Sequence, residues 1–332
     1  MSSIPAQPSD VQAGEKRGRG ALQRVLAQRE IFIFLFVLLI GALLTISSKN
    51  FLTSGNLKTL IVGSSFDAIV AIGMTILLVS GMFDLSVGST LALAGAVAGY
   101  AITKGHFGVP LAILFGLLSG AIVGAANGFL VAKVKVNALI ATLGMMQVVR
   151  GVVFLLTAGL GIPNLPAGFN VFGQGKFLDI QYPVWIMLVL VIVSEVLLRR
   201  SRYFRQSYFV GGNPRSARLS GINVDNIIWV NFILAALMAA LSGLLLTGRF
   251  GTASVSAGIG AELRVISACV LGGASLAGGE GSILGSLLGV ILMNLIANGL
   301  NLLGINPYYL NIATGGILII AVVIDVLSRR NK

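Results

Sequence analysis

The sequence predicts an all-α integral membrane protein of about ten transmembrane helices, and three observations carry that prediction. Of 332 residues, 56% are hydrophobic and only 10% are charged, whereas a soluble domain needs about a quarter charged to cover its surface. Apolar stretches long enough to cross ~30 Å of hydrocarbon recur along most of the chain. Glycine is abundant, with 43 residues, as befits helices that approach closely in lipid.

The first 30 residues are polar and carry Pro5, Pro8 and the basic residues Lys16, Arg17, Arg19, Arg24 and Arg29. They read as a disordered basic cytoplasmic tail. The basic stretch is long and no small-residue cleavage site follows the first span, so a cleaved signal peptide is not expected. Spans are expected at 31–47, 60–80, 86–102, 109–131, 138–158, 182–198, 226–248, 261–277, 283–300 and 307–327. Those at 86–102 and 261–277 are short and rich in Gly and Ala. The transmembrane domain thus covers 31–327, with a long cytoplasmic loop at 199–225 and a short tail at 328–332.

Charge sets the orientation. With both termini inside, the cytoplasmic segments hold 16 basic residues and the outer loops 6, namely Lys49, Lys58, Lys104, Lys176, Arg249 and Arg264. Arg150 lies within a span. That asymmetry is the positive-inside pattern. It also accounts for the formal charge of +12 without a nucleic-acid partner. Residues 85–97 and 278–290 each pass from a turn through Gly-Ser into a small-residue helix. This echo would suit repeated halves, although low-complexity Gly/Ala sequence produces such matches easily.

Several chemistries are excluded. Cys269 is the only cysteine and His106 the only histidine, which leaves no disulfide framework, His-based metal site or Ser-His-Asp triad. No nucleophile and base stand at a recognisable spacing for an intramembrane enzyme.

The loop at 199–225 is the most informative segment. Gly211, Gly212, Asn213 and Pro214 form a turn in which Asn213 can cap a helix and Pro214 can occupy its first position. A short helix is expected through Ala217, Arg218 and Leu219, ended by Gly221 before Ile222. Such a helix held between two spans is a lever on the cytoplasmic face. From the residues alone, a positively charged loop with ordinary capping is the plainer reading.

Ionisable groups in apolar spans are costly unless paired or hydrated. Glu195 precedes Arg199 by one turn and suits a surface pair, and Asp325 is similarly terminal. Asp84 with Ser86 suits a cap of the third span, with a gating or substrate role as the other reading. Arg150 is expected to be buried against backbone carbonyls or a carboxylate. Asp67 is the best isolated candidate for a polar group facing a central path. Asn127, Asn137, Thr142, Gln147, Asn294, Asn298 and Asn301 add amides and hydroxyls on or beside spans, which suit a polar path or equally helix–helix hydrogen bonds. The candidate path set is Asp67, Asp84, Asn127, Asn137, Thr142, Asn294 and Asn298.

The run Val210-Gly-Gly-Asn-Pro-x-x-Ala217-Arg218-x-x-Gly221-Ile222-Asn-Val resembles the coupling segment of permease subunits in ribose-type bacterial ABC sugar importers. Gly73-Met74-Thr75, the Asp-Leu-Ser-Val-Gly-Ser run at 84–89, Asn127-Gly128, Ala141-Thr-Leu-Gly144, Arg150-Gly151, the glycine-rich run at 270–281 and Asn298-Gly-Leu-Asn301 follow in the family's order. The matches extend over about residues 50–325. One departure is Met82-Phe83, where the family usually has Gly-Ile; it enlarges the side chains beside a tight turn and bears on pocket shape.

The resemblance implies a transmembrane subunit that forms the path for a monosaccharide or related small polyhydroxylated solute. It implies a cytoplasmic ABC ATPase as partner, a periplasmic sugar-binding protein, and a second permease chain, with a homodimer expected, in the lipid of the bacterial inner membrane. It places ATP coupling on Gly211, Gly212, Asn213, Pro214, Ala217, Arg218, Gly221 and Ile222. No cofactor is expected on this chain; ATP and Mg belong to the ATPase. In agreement, the sequence has no G-x-x-x-x-G-K-[ST] loop, the usual phosphate cradle. The competing reading is an ion-coupled secondary transporter of a small polar solute, for which Asp67 is thin support.

Overall fold

A computed structural model describes residues 29–306 and 308–330. The expected tail at 1–30 therefore falls outside the described residues except for Arg29 and Glu30, as do residues 331–332 and the side chain of Asp325. Among the described residues the fold is helical, with a single two-stranded hairpin.

Ten helices correspond to the ten expected spans: α1 (Arg29–Ser47), α2 (Ser54–Val79), α3 (Val87–Thr103), α4 (Val109–Gly128), α5 (Ala138–Thr157), α7 (Tyr182–Arg200), α10 (Val224–Phe250), α11 (Ala261–Leu271), α12 (Ile283–Leu302) and α13 (Tyr309–Arg330). A π-helical turn at Phe129–Lys133 prolongs α4. Among the described residues seven of these are long and apolar enough to cross a membrane, and α3 and the first part of α13 are shorter apolar helices.

The span expected at 261–277 is a correction. Helix α11 stops at Leu271, and its 11 residues rise only about 16 Å. Gly272 caps it and an irregular turn follows to Ser282. The crossing is completed by irregular backbone, because the chain enters at the end of α10 and leaves at the turn before α12, where Gly279 N donates to Val79 O.

Capping explains many helix ends. Thr53, Asn137, Asn223 and Ser282 accept from backbone N–H groups at the starts of α2, α5, α10 and α12, which supplies donors that helix starts leave open. Three short helices occupy segments expected as loops: α6 (Ala167–Gln174), α8 (Arg202–Gly212) and α9 (Pro214–Leu219). Only α9 was foreseen. The hairpin pairs β1 (Lys176–Phe177) with β2 (Ile180–Gln181) through Leu178 and Asp179, both at positive φ, the geometry of a tight two-residue turn.

The bundle centres on α2 and α10. Along α4, Gly116, Gly120, Gly124 and Gly128 recur every fourth residue against α10. A Cβ on Gly120 would lie 2.5 Å from Ala240 Cβ, and one on Gly124 2.6 Å from Phe232 O. Glycine's missing side chain permits this backbone contact, and dispersion between close helices replaces the hydrophobic drive that lipid removes.

Two ends of the bundle can be told apart. One end, called here the basic end, gathers the last residues of α2, helices α8 and α9 and the turn before α12. Gly279 N donates to Val79 O at 2.9 Å and Tyr208 Oη donates to Gly281 O at 2.8 Å. The opposite end holds α6, the hairpin and the end of α10, where Ile162 and Ala253 form a backbone bridge. From that end the chain after α10 folds back inward: the Gly258 carbonyl oxygen would lie 2.2 Å from a Cβ on Gly88. Irregular backbone at this depth needs partners for its polar groups, and Arg150 Nη1 donates to the carbonyls of Val255 and Ala257.

The sequence echo does not describe this architecture in register. It pairs Val87 with Glu280, whereas α12 begins at Ile283.

Candidate coupling segment and translocation cavity

Helix α9 is built as the residues suggested. Asn213 Oδ1 accepts from Ser216 N at 3.0 Å, and Pro214 stands at its first position. Gly221 N donates to Arg218 O at 3.0 Å and Ile222 N to Ala217 O at 3.1 Å. Gly221 has φ +81°, a conformation that glycine adopts without steric cost.

The side chains of α9 face two ways. Ala217 is 4% exposed and packs into its own chain, beside Val210, Val224 and Ile227, so its small size serves this seat. Arg218 Nη2 donates to Asp225 Oδ1 at 2.8 Å, and Lys135 Nζ reaches the same oxygen at 2.6 Å. The Arg218 charge is thus answered within the chain. The rest of α9 is exposed, and its one large apolar side chain there is Leu219, 86% exposed, a residue that the sequence reading did not single out.

Below α9, Gly211 is buried while Gly212 is exposed. A Cβ on Gly211 would come within 2.0 Å of Val79 O and 2.7 Å of Gly279 N. The base of α9 therefore touches the end of α2 and the turn before α12 backbone to backbone. Burial raises the Tyr208 hydroxyl to about 12, so it remains a hydrogen-bond donor in the same junction.

Glu195 is not the surface pair expected. It is 8% exposed. It pairs with Arg199 and also accepts from Ile283 N at 2.9 Å and Leu284 N at 3.3 Å. The carboxylate thereby caps α12, where the helix dipole favours negative charge.

The seven candidate path residues separate into distinct sites. Asp84 and Asn127 are fully buried together: Asp84 Oδ1 accepts from Ser86 N at 2.7 Å and Ser86 Oγ at 2.6 Å, and Asn127 Nδ2 donates to both carboxylate oxygens at 3.3 Å. This cluster fastens the turn that opens α3. Asn137 is an exposed cap that accepts from Leu139 N at 2.9 Å, and Thr142 is buried and donates to Ala138 O. Asn298 exchanges two amide hydrogen bonds with Asn56, at 2.7 and 3.1 Å, and so links α12 to α2.

Asp67 and Asn294 alone among the seven line a cavity of about 390 Å³, together with Thr59, Arg249, Phe250 and Arg264. Asp67 is not isolated. Arg264 donates to it through Nε at 3.0 Å and Nη2 at 2.9 Å, and Asn294 Nδ2 donates at 3.1 Å. Arg264 had been assigned to an outer loop; it lies instead on α11. Asp67 stands 12 residues from Val79, about 18 Å along the helix, which is mid-bundle. Met82 and Phe83, the departure from the family pattern, pack into core clusters and do not line this cavity.

Arg150 meets backbone carbonyls as expected, although it is half-buried rather than buried. Its Nη1 donates to Val255 O at 2.8 Å and Ala257 O at 2.9 Å, and so clamps the inward-folded segment after α10.

A polytopic helical bundle with broken helices, a mid-depth polar cavity and a capped helix projecting from one end defines a transport permease. Residues 56–322 match the sequence profile of the family described as branched-chain amino acid transport system, permease component. The chain is 40% identical to the ribose import permease protein of Escherichia coli K12 over 90% of its length and 94% of that protein's. It is 40% identical to the ribose import permease protein of Bacillus subtilis, with 89% and 91% covered. Identity to the L-arabinose ABC transporter permease protein of Azospirillum brasilense is 36%, with 97% and 94% covered. No solved structure matches. The chain belongs to this family, among its ribose-type ABC sugar permeases. That membership sets aside the ion-coupled alternative, and the Asp67–Arg264 pair removes the lone carboxylate on which it rested.

Proposed function

We propose that the chain forms the solute path of a binding-protein-dependent ABC importer in the bacterial inner membrane, for a monosaccharide or related small polyhydroxylated solute. Identity of 40% to a ribose import permease over nine-tenths of the chain carries the reading. Both termini and the basic end face the cytoplasm, the hairpin end faces a periplasmic sugar-binding protein, and two copies line the path in lipid. A separate cytoplasmic ATPase binds ATP and Mg; this chain binds no cofactor and hydrolyses nothing.

Residues 211–222 are the coupling element in this reading. Gly211 ties the base of α9 to α2 and to the turn before α12, the Gly212-Asn213-Pro214 turn and Gly221-Ile222 fix its two ends, and Leu219 supplies the projecting apolar contact. A push on α9 would reach two membrane elements without flexible side chains in between. The test is Leu219→Asp in the full importer. Because Leu219 is exposed, the variant is expected at normal abundance in the membrane. It should bind the ATPase at least about tenfold more weakly, as for loss of a central apolar anchor, and should lose sugar uptake. Undiminished ATPase association and uptake would remove α9 from the interface.

A further inference from the structure

Resting on the importer reading, we propose that the cavity at Asp67, Arg264 and Asn294 is a low-affinity subsite for a neutral sugar, with Arg264 and Asp67 as its hydroxyl-binding groups. The cavity's size, about 390 Å³, falls within the range of small-molecule sites. Within it Asp67 and Arg264 compensate each other, and Arg249, which also lines the cavity, adds a positive charge. Asp67 accepts three hydrogen bonds across its two oxygens. Arg264 uses two N–H groups on Asp67, leaving others of its fork for a ligand.

A fixed carboxylate beside a guanidinium presents an acceptor and donors side by side, which matches adjacent sugar hydroxyls. The pair stays partly open, with Arg264 30% and Asp67 13% exposed, so a solute can reach it. Phe250, 71% exposed, lines the same cavity and offers an aromatic face to the apolar side of a sugar ring. Thr59 on α2 adds a hydroxyl two turns from Asp67. A buried ion pair serving packing alone would be expected to be closed off, with its remaining donors satisfied.

The test uses the purified full-length chain with Ala297→Cys, a position that lines the cavity, while Cys269 is buried. Labelling by a water-soluble thiol reagent is followed with and without D-ribose, L-arabinose, D-ribose 5-phosphate and D-glucuronate. Thr59→Cys provides the same readout if Ala297→Cys folds poorly. Neutral sugars at millimolar concentration should slow labelling. Combining Asp67→Asn with Arg264→Gln, which removes both charges together, should raise the half-protecting sugar concentration by about tenfold or more, the effect of losing hydrogen bonds to charged groups. A cysteine that is unreactive without sugar, unprotected by neutral sugars, better protected by the acidic analogues, or equally protected in the double variant would overturn the proposal. The assay involves no ATPase, so its failure leaves the importer reading standing, whereas failure of the Leu219→Asp test removes α9 from the ATPase interface and leaves sugar protection of the cavity unchanged.

Discussion

At the scale of single residues, the intramembrane charges divide by what they hold. Arg150 holds backbone: one nitrogen serves the carbonyls of Val255 and Ala257, which have no helical partner in the segment between α10 and α11. Arg150→Ala would leave those two carbonyls unpaired at about 1–3 kcal/mol each. It should lower the yield and thermal midpoint of folded protein more than it alters the order of sugar preference. Arg150→Lys, with a single point charge in place of the fork, should fall between. Size-exclusion profiles and a sugar panel on the same preparations check this; normal abundance with a changed sugar order would contradict it. Asp67 faces solvent space and an arginine, so its replacement should act on transport. Asp67 and Asp84, read from the sequence as a path candidate and a helix cap, differ in this way because only Asp67 opens onto the cavity.

Elements carry the next level. The glycine row of α4 against α10 fixes how closely two long helices lie. A side chain on Gly120 meets Ala240 at 2.5 Å, and the rigid helices on both sides have no room to yield. Gly120→Leu should therefore cost about 1–3 kcal/mol through overpacking, read as a lower thermal midpoint in detergent. Gly144, with nothing within 4 Å of an added Cβ, is the control and should tolerate Ala. At the basic end, Glu195 links two elements by capping α12 from α7. Glu195→Gln keeps the shape and loses the charge that the α12 N-terminus favours, worth about 0.3–2 kcal/mol. Ala217→Glu is expected to act through the fold, since Ala217 is buried in its own chain; it should lower abundance, whereas Leu219→Asp should not.

For the whole molecule, helix directions and charge agree on one arrangement. Glu30 Oε1 accepts from Ser282 Oγ at 2.5 Å, which puts the start of α1 at the same end as α8 and α9. That end carries most of the basic residues, so the positive-inside pattern and the packing point to one face. Cysteine-accessibility mapping should find residues 199–225 reachable from the cytoplasm and residues 160–181 from the periplasm. Exposure of 199–225 only to the periplasm would reverse the orientation and end the coupling reading.

The sequence by itself determined the class of protein, nearly every helix and the α9 cap, because these depend on local composition: apolar length, the Asn-Pro start and the Gly221 stop are each readable within a few residues. Tertiary structure alone decided that 261–277 breaks at Leu271. The expected span runs on through Gly272 and Gly273, whereas the turn expected from Gly278 in fact begins at Gly272 and is anchored by Gly279 N on Val79 O. It alone also joined Asp67 to Arg264, 197 residues apart in the chain, and turned Ala217 inward and Leu219 outward. Those outcomes depend on which groups meet across the bundle, and pairing at that range leaves no periodic trace in a single sequence.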